Sequence, residues 1–309
     1  AAVIPLLTSD QFLIHVLVMV FFFAILASSL NLTVGFVGEL SLGHAAFLGI
    51  GAYTSAILTT DYGMSPLLCI LIAGCLAALV GLLIGAITLQ LEGDFFVLIT
   101  LAFAEIMRVV ANNWIEVTHG PLGFSNIPAP KLTIAGHVFL DFSSRTQFYY
   151  LALLLLCMTI GCVAVFAQST YRIGAVAVRE NRRLAKAVGI DPFGQALITF
   201  VIGAFFAGVA GSFYAHYITF VGPEVFGFSF MVTMLMMVAL GGKGTVFGPL
   251  LGAVLVGFAL EYLRFINEIR LSVFGILLIL VVMFMPDGAI GLFKRPWRGR
   301  ATKSEVMAS

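Results

Sequence analysis

Charge is what this 309-residue chain has least of: Asp, Glu, Lys and Arg make up 10% of it, against about 25% in ordinary soluble domains. With 61% hydrophobic residues and a mean hydropathy of +1.10, that scarcity excludes a water-soluble domain, which has no single core able to hide so much apolar surface. A net charge of +1 without any Lys/Arg run interleaved with aromatics excludes an electrostatic nucleic-acid binder. Cys69, Cys75, Cys157 and Cys162 all lie inside apolar runs. They have neither zinc-ligand spacing nor the loop placement of a disulfide framework, so they read as packing residues and no metal site is expected. A phosphate-binding loop is also lacking. The nearest approach is GGKGT at Gly241 to Thr245, where Gly follows Lys243 in place of Ser or Thr, and Met237 stands where the first Gly belongs. No Ser/His/Asp order or Cys/His pairing stands out, so no catalytic residue and no cofactor is assigned. Any work the protein does is then powered by a partner or by an ion gradient.

What the chain does have is long apolar runs. A crossing needs about 20 residues at 1.5 Å rise to traverse roughly 30 Å of hydrocarbon. That ruler gives about nine spans, near 11–34, 43–60, 66–91, 95–115, 147–168, 193–220, 230–241, 246–263 and 271–290. The seventh is short unless it runs into Gly241 and Gly242, which points to a broken or re-entrant element. The expected fold is an all-α, polytopic membrane bundle forming one domain over 1–309. The first residue is Ala1 rather than Met, so the natural chain is expected to begin upstream, with either a signal or another span before residue 1.

Cations in short loops set the orientation. Arg172, Arg179, Arg182, Arg183 and Lys186 lie between the fifth and sixth spans, and Lys294, Arg295, Arg298, Arg300 and Lys303 in the tail 291–309 follow the ninth. Both clusters belong in the cytoplasm, and the four spans between them satisfy that placement. Lys243 joins the inner set; Lys131, Arg145, Arg264 and Arg270 fall outside, and Arg108 lies within a span. The outer connection 116–146, containing GPLGFSNIPAPK, is long for a loop and rigid with proline. It reads either as a spacer or as a docking surface centred on Gly120, Pro121, Gly123 and Pro128.

Three segments carry candidate chemistry. The inner loop 169–192 ends in Asp191-Pro192, an N-cap and first residue of the next helix, after Gly189 as a left-handed stop. Between them a short amphipathic helix is expected, with Val176, Arg179, Asn181 and the Leu184/Val188 pair on one edge. A positively charged loop alone explains the cations. A capped helix carrying Leu184 and Val188 outside the bilayer points further, to a groove on a soluble partner. Second, Glu105 and Arg108 stand near mid-membrane at i, i+3, as a neutralised structural pair or as polar lining of a substrate route shared with Thr100. Third, Gly38, Glu39, Ser41, Gly43 and His44 interrupt the first two spans. Gly242, Lys243, Gly244, Thr245 and Gly248 make a similar interruption between the seventh and eighth. Irregular backbone survives in a membrane only where protein buries it or a wet cavity faces it. Packing alone is one reading of these glycines; a translocation path or gate is the other.

In order and spacing, NLTVGFVGELSLGHAAFLGIGAYTSAIL, LEGDFFVLITLAFAEIMRVV, THGPLGFSNIP, AVRENRRLAKAVGIDPF, VAGSFYAHY, VALGGKGTVFGPLLGAVLV and MPDGAIGLF resemble the permeases of bacterial ABC importers for branched-chain amino acids. The resemblance implies a multi-pass subunit of the inner membrane, in contact with lipid, with a further N-terminal span before Ala1 that makes ten in all, and pairing with a paralogous permease as a heterodimer. It further implies two cytoplasmic ABC ATPase subunits that hydrolyse ATP, and an extracytoplasmic substrate-binding protein. Glu180 to Asp191 is then the coupling helix, with Arg179, Glu180, Asn181, Arg182, Leu184, Ala185, Val188 and Gly189 serving the ATPase. Glu180 is followed by Asn181 and Arg182 rather than two alanines, a departure from the general importer pattern. Urea or short-amide permeases share these motifs, and an ion-driven carrier acting alone is the rival from another class.

Overall fold

The computed structural model describes residues 10–91, 93–134, 137–142, 144–262 and 288–290. All but the last three residues of the expected ninth span, and the basic tail 291–309, lie outside the described residues, as do Arg264 and Arg270.

The described chain is mostly helical. Helix α1 (Gln11–Asn31) begins at Asp10, whose carboxylate accepts the Phe12 amide at 2.9 Å, and widens into a π-helical stretch, Leu32–Val37. Gly38 ends it at φ +85°, a left-handed conformation that glycine adopts without strain. Helix α2 (His44–Thr60) follows, then α3 (Pro66–Thr88), started by Pro66 in its first turn, and α4 (Asp94–Asn113). A single turn, α5 (Ile115–Thr118), leads into the long connection. Helix α6 (Arg145–Gln168) is opened by a capping box in which Ser144 and Gln147 satisfy each other's backbone amides. Helices α7 (Thr170–Glu180) and α8 (Arg182–Ala187) form the next connection, and α9 (Pro192–Ile218) is capped by Asp191 as expected. Two shorter helices, α10 (Phe228–Gly241) and α11 (Gly248–Tyr262), complete the described bundle. At 14 and 15 residues they reach about 21–23 Å each, less than the hydrocarbon thickness.

Among the described residues four helices are long and apolar enough to cross a membrane: Gln11–Val37, Pro66–Thr88, Arg145–Gln168 and Pro192–Ile218. Helices α1 and α9 are largely buried and make the core; α9 packs most extensively on α3 and α2, and α1 on α6 and α11. Helix α3 turns Ala73, Gly74, Ala77, Gly81 and Gly85 inward and leaves Leu68, Leu71, Leu79, Leu83 and Ile87 exposed. Small residues at the helix contact and large ones outside are the arrangement lipid permits, since leucine gains nothing by leaving hydrocarbon.

Two expectations need correction. The chain is not purely helical: β1 (Phe124–Ser125) pairs antiparallel with β4 (Phe220–Val221), and β2 (Lys131–Ile134) with β3 (His137–Asp141). These ribbons sit in connections at one end of the bundle, where backbone outside a helix pairs with itself. The connection 169–192 is also two helices rather than one. At Asn181 the backbone is extended (φ −160°), and its side chain accepts the Leu184 amide at 3.0 Å, so asparagine ends α7 and caps α8.

The α2/α9 crossing is backbone against backbone: a methyl group on Gly211 would land on the Leu48 carbonyl, and one on Gly51 on the Gly208 backbone. Overpacking such a site costs about 1–3 kcal/mol or more. Gly211→Leu is therefore expected to lower the yield and thermal stability of the folded protein in detergent. Gly161→Ala in α6, with nothing within 4 Å of the added methyl, is expected to leave both intact or raise them. Thermal aggregation of the two variants measures the difference.

Candidate functional site

The π-helical stretch that leads into the sequence-predicted interruption at Gly38 to His44 meets the one at Gly242 to Gly248, Gly35 lying against the Gly244 backbone. Their link is Asn31, a residue the sequence reading passed over. Its side-chain carbonyl accepts the Gly244 amide and its NH2 donates to the Thr245 carbonyl, both at 2.9 Å. The carboxamide thus pairs with loop backbone as another peptide would, satisfying groups that have left helical geometry. Thr245 adds to this by donating to the Gly242 carbonyl at 2.8 Å and accepting the Gly248 amide at 3.1 Å, which starts α11. Gly288, from the closing motif, lies against Gly242. Lys243 is exposed at the tip of this loop.

The basic connection is bound to the same junction. Arg179 near the end of α7 donates to the Gly35 carbonyl at 2.8 Å, inside the π-helical stretch, and its side chain packs over Gly38. Its other guanidinium contact is Glu180, at 2.9 Å. Arg182 at the start of α8 forms an ion pair with Glu39 at 2.6 Å and donates to the Leu89 carbonyl at 3.1 Å. The side chains of Arg182 and Glu39 are 21% and 14% exposed, so this pair is far less screened than a surface pair. Ala185 is buried against the bundle, whereas Leu184 and Val188 are 65% and 76% exposed. Gly189 takes its left-handed turn at φ +86°.

Leu40 is exposed, and from Ser41 onward the interruption is closed in by protein. Ser41 is fully buried and its hydroxyl is 3.4 Å from the Gly43 amide. Thr100 is buried too: its hydroxyl accepts the Leu42 amide at 3.1 Å and donates to the Val97 carbonyl. Thr100 stands six residues into α4, about 9 Å along its axis, so the broken backbone reaches well inside the bundle. His44 lies next to Ser29, with Nε2 2.8 Å from its hydroxyl, and that hydroxyl donates to the Leu26 carbonyl. The single serine proton assigns the imidazole proton to Nε2 and leaves Nδ1 as a buried acceptor.

Glu105 and Arg108 do pair, Nε to Oε2 at 2.9 Å, but on the outside of the described bundle, with side chains 57% and 41% exposed. Only Phe96, Thr100, Ala104 and Ala111 of α4 are buried. An ion pair is costly against lipid, so a protein or aqueous neighbour suits the face of α4 that carries it.

At the opposite end, Gly120 and Gly123 are buried turn formers with φ +57° and +60°, while Pro121, Leu122 and Pro128 are exposed. The Pro128 carbonyl accepts from His216 Nδ1 at 2.7 Å; His216 Nε2 is 2.8 Å from the Ser55 hydroxyl, to which Ser212 donates at 2.7 Å. A chain of buried polar groups in α2 and α9 therefore holds the outer connection down. Among the described residues no group of three or more His, Cys, Asp or Glu could hold a metal ion.

A profile of the family described as "Branched-chain amino acid transport system / permease component" matches residues 12–282. The chain is 35% identical over 286 residues to the high-affinity branched-chain amino acid transport system permease protein LivM of Escherichia coli (strain K12), covering 87% of this chain and 67% of that one. It is 35% identical over 295 residues to the LivM of Salmonella typhimurium, covering 90% and 69%. The companion permease protein LivH of Escherichia coli (strain K12) is 25% identical over 285 residues, covering 87% and 91%. No solved structure matches. The buried junction of broken helices, tied to an amphipathic basic connection in a multi-pass bundle of the inner membrane, is thus that of a permease: the chain belongs to the permease-component family of branched-chain amino acid transport systems.

Proposed function

We propose that this chain is one of two related permease subunits of an importer that carries hydrophobic, branched-chain amino acids inward, driven by two ATPase subunits on the cytoplasmic side. The observation that carries the reading is the exposed Leu184/Val188 edge of α8, a helix bonded to Glu39 through Arg182 and preceded by α7, whose Arg179 bonds to Gly35. The α7–α8 end is the cytoplasmic face. The connection 169–192 is the coupling element, α8 with its exposed apolar edge being the part that enters the ATPase groove. Movement of α8 passes through short polar contacts to the backbone of the interruptions, which together form the inner gate of a single domain of nine spans in this chain. In that frame α10, α11 and the loop between them are re-entrant or broken.

The exposed face of α4 meets the mate subunit, and Glu105 and Arg108 line the route between them. A zwitterion brings no net charge to that route, and a neutralised pair meets both its ends without holding it. The connection 116–146, fixed by His216 and the β1–β4 pair, is the outer surface on which a substrate-binding protein releases its cargo, with Pro121 and Pro128 facing it. Glycines 120 and 123 shape that surface.

Vesicles holding the assembled transporter, with ATP inside the ATPase compartment and binding protein opposite, are expected to accumulate leucine. Isoleucine and valine compete, urea and acetamide do not, and the permease without ATPases accumulates nothing. Uptake that is blocked by urea, or driven by a proton gradient without ATPases, contradicts the reading.

Charge reversal tests the linkage. Glu39→Arg or Arg182→Glu alone is expected to cut coupled uptake by at least about tenfold, the effect of roughly 1.4 kcal/mol. The double swap restores much of it while surface expression stays level. Single variants with full uptake separate the gate from α8.

A further inference from the structure

Beside α8 lies an open cavity of about 270 Å³, lined by Leu89, Gln90, Arg182, Arg183, Lys186, Asp191, Pro192 and Phe193. Its charge is net positive, three cations facing one carboxylate. The Arg182 guanidinium is engaged by Glu39 and by the Leu89 carbonyl. Both Asp191 oxygens are used in capping α9, at 3.1 Å from the Phe193 amide and 3.0 Å from the Gly194 amide. Arg183 and Lys186 pair with no carboxylate among the described residues. Two cations without a salt-bridge partner among the described residues therefore share the pocket with one capping carboxylate, and its lining is net positive.

Its position decides which anion suits it. Leu89 and Gln90 directly follow α3, whose outward stripe of Leu79, Leu83 and Ile87 is exposed along the membrane-crossing length and ends at the pocket. Pro192 and Phe193 begin α9, another crossing helix. The cavity thus opens at the water–hydrocarbon boundary, with an apolar track leading away from it into the bilayer. On the α8 wheel, Leu184 and Val188 lie roughly 150–170° from the centre of Arg182, Arg183 and Lys186. The edge offered to a soluble partner and the face lining the pocket are therefore different faces of α8.

We propose that this pocket binds the phosphodiester headgroup of an anionic phospholipid, with the acyl chains lying along the exposed leucines of α3. Two guanidinium and ammonium groups take the phosphate oxygens, and the acyl chains cover apolar surface that the bundle leaves open. The bound lipid lies at one end of the Arg182–Leu89 contact and so adjoins the linkage between α8 and the gate. The inference shares with the transport reading only the position of these helix ends at a membrane surface. It is read by lipid retention, which does not depend on uptake.

The test is native mass spectrometry of the assembled transporter after exchange into detergent with equal phosphatidylglycerol and phosphatidylcholine. Wild type is expected to retain phosphatidylglycerol selectively. Arg183→Gln with Lys186→Gln is expected to bind it about thirtyfold more weakly, on the order of fivefold for each cation near a membrane surface. Arg172→Gln, which removes an exposed cation of α7 outside the pocket, is expected to bind as wild type does. A photoreactive phosphatidylglycerol on the unmutated transporter should label the peptides holding Gln90 and Phe193, which keeps the test open should the double variant fail to assemble. Equal retention by wild type and the double variant, or labelling elsewhere, overturns the proposal. So does displacement of the label by millimolar inorganic phosphate alone, which makes the occupant a free anion, or exclusion of lipid whenever ATPase subunits are present, which makes the pocket part of the protein–protein contact.

Discussion

Backbone that leaves a helix inside a membrane has to find its hydrogen-bond partners within the protein, and here Asn31 supplies them. Its carboxamide holds the amide of Gly244 and the carbonyl of Thr245 while Gly35, one turn on, gives its own carbonyl to Arg179. Where such groups are shielded from water, each costs about 1–3 kcal/mol if left alone. The two interruptions are thereby fixed to one another and to the connection between α6 and α9. Removing helical geometry at two places in the bundle creates a weak point; pairing the two places through a side chain makes that weak point a joint. The same logic at the other end uses His216, Ser55 and Ser212 to fasten the outer connection by the Pro128 carbonyl.

The placement of helices was legible from the sequence because apolar run length is set by bilayer thickness. Helices stand where spans were expected from residue 11 to residue 262. The inward faces were not legible in the same way. Lipid and protein interior are equally apolar, so α3 carries no amphipathic signal, and only the separation of Ala73, Gly74, Ala77, Gly81 and Gly85 from the leucines betrays its two sides. The capping signals did their part: Asp191-Pro192 and Gly189 sit where the chemistry of helix ends puts them. Asn181 carried the same capping chemistry, and its spacing to Leu184 was the available sign that the connection holds two helices.

The candidate site was legible as a list of places and opaque as a set of contacts. Glu39 read as part of a path because it sits in an interruption; its partner, Arg182, is 143 residues away, and no local pattern joins them. Thr100 read as lining and turns out to hold the Leu42 amide. Asn31 had a usable signal, being, after Gln11 at its very start, the one carboxamide of the apolar run 11–34, where a polar side chain is costly without a partner. Glu105 and Arg108 were correctly paired by their i, i+3 spacing, but spacing says nothing about which way the pair faces. The outer ribbon β2–β3 had alternation in KLTI and HVFLD that the surrounding prolines masked.

If α8 and the Gly38–Gly43 interruption are one mechanical unit, they keep their separation while the rest of the bundle moves around them. Pulsed electron–electron resonance between spin labels at Leu40 and Lys186, in the assembled transporter, measures that separation directly. The same narrow distance in the nucleotide-free and ATP-trapped states, alongside a changing distance between Lys186 and a label on the corresponding connection of the mate subunit, is the predicted result. A Leu40–Lys186 distance that shifts or broadens with nucleotide state contradicts the linkage, and with it this account of how the permease is driven.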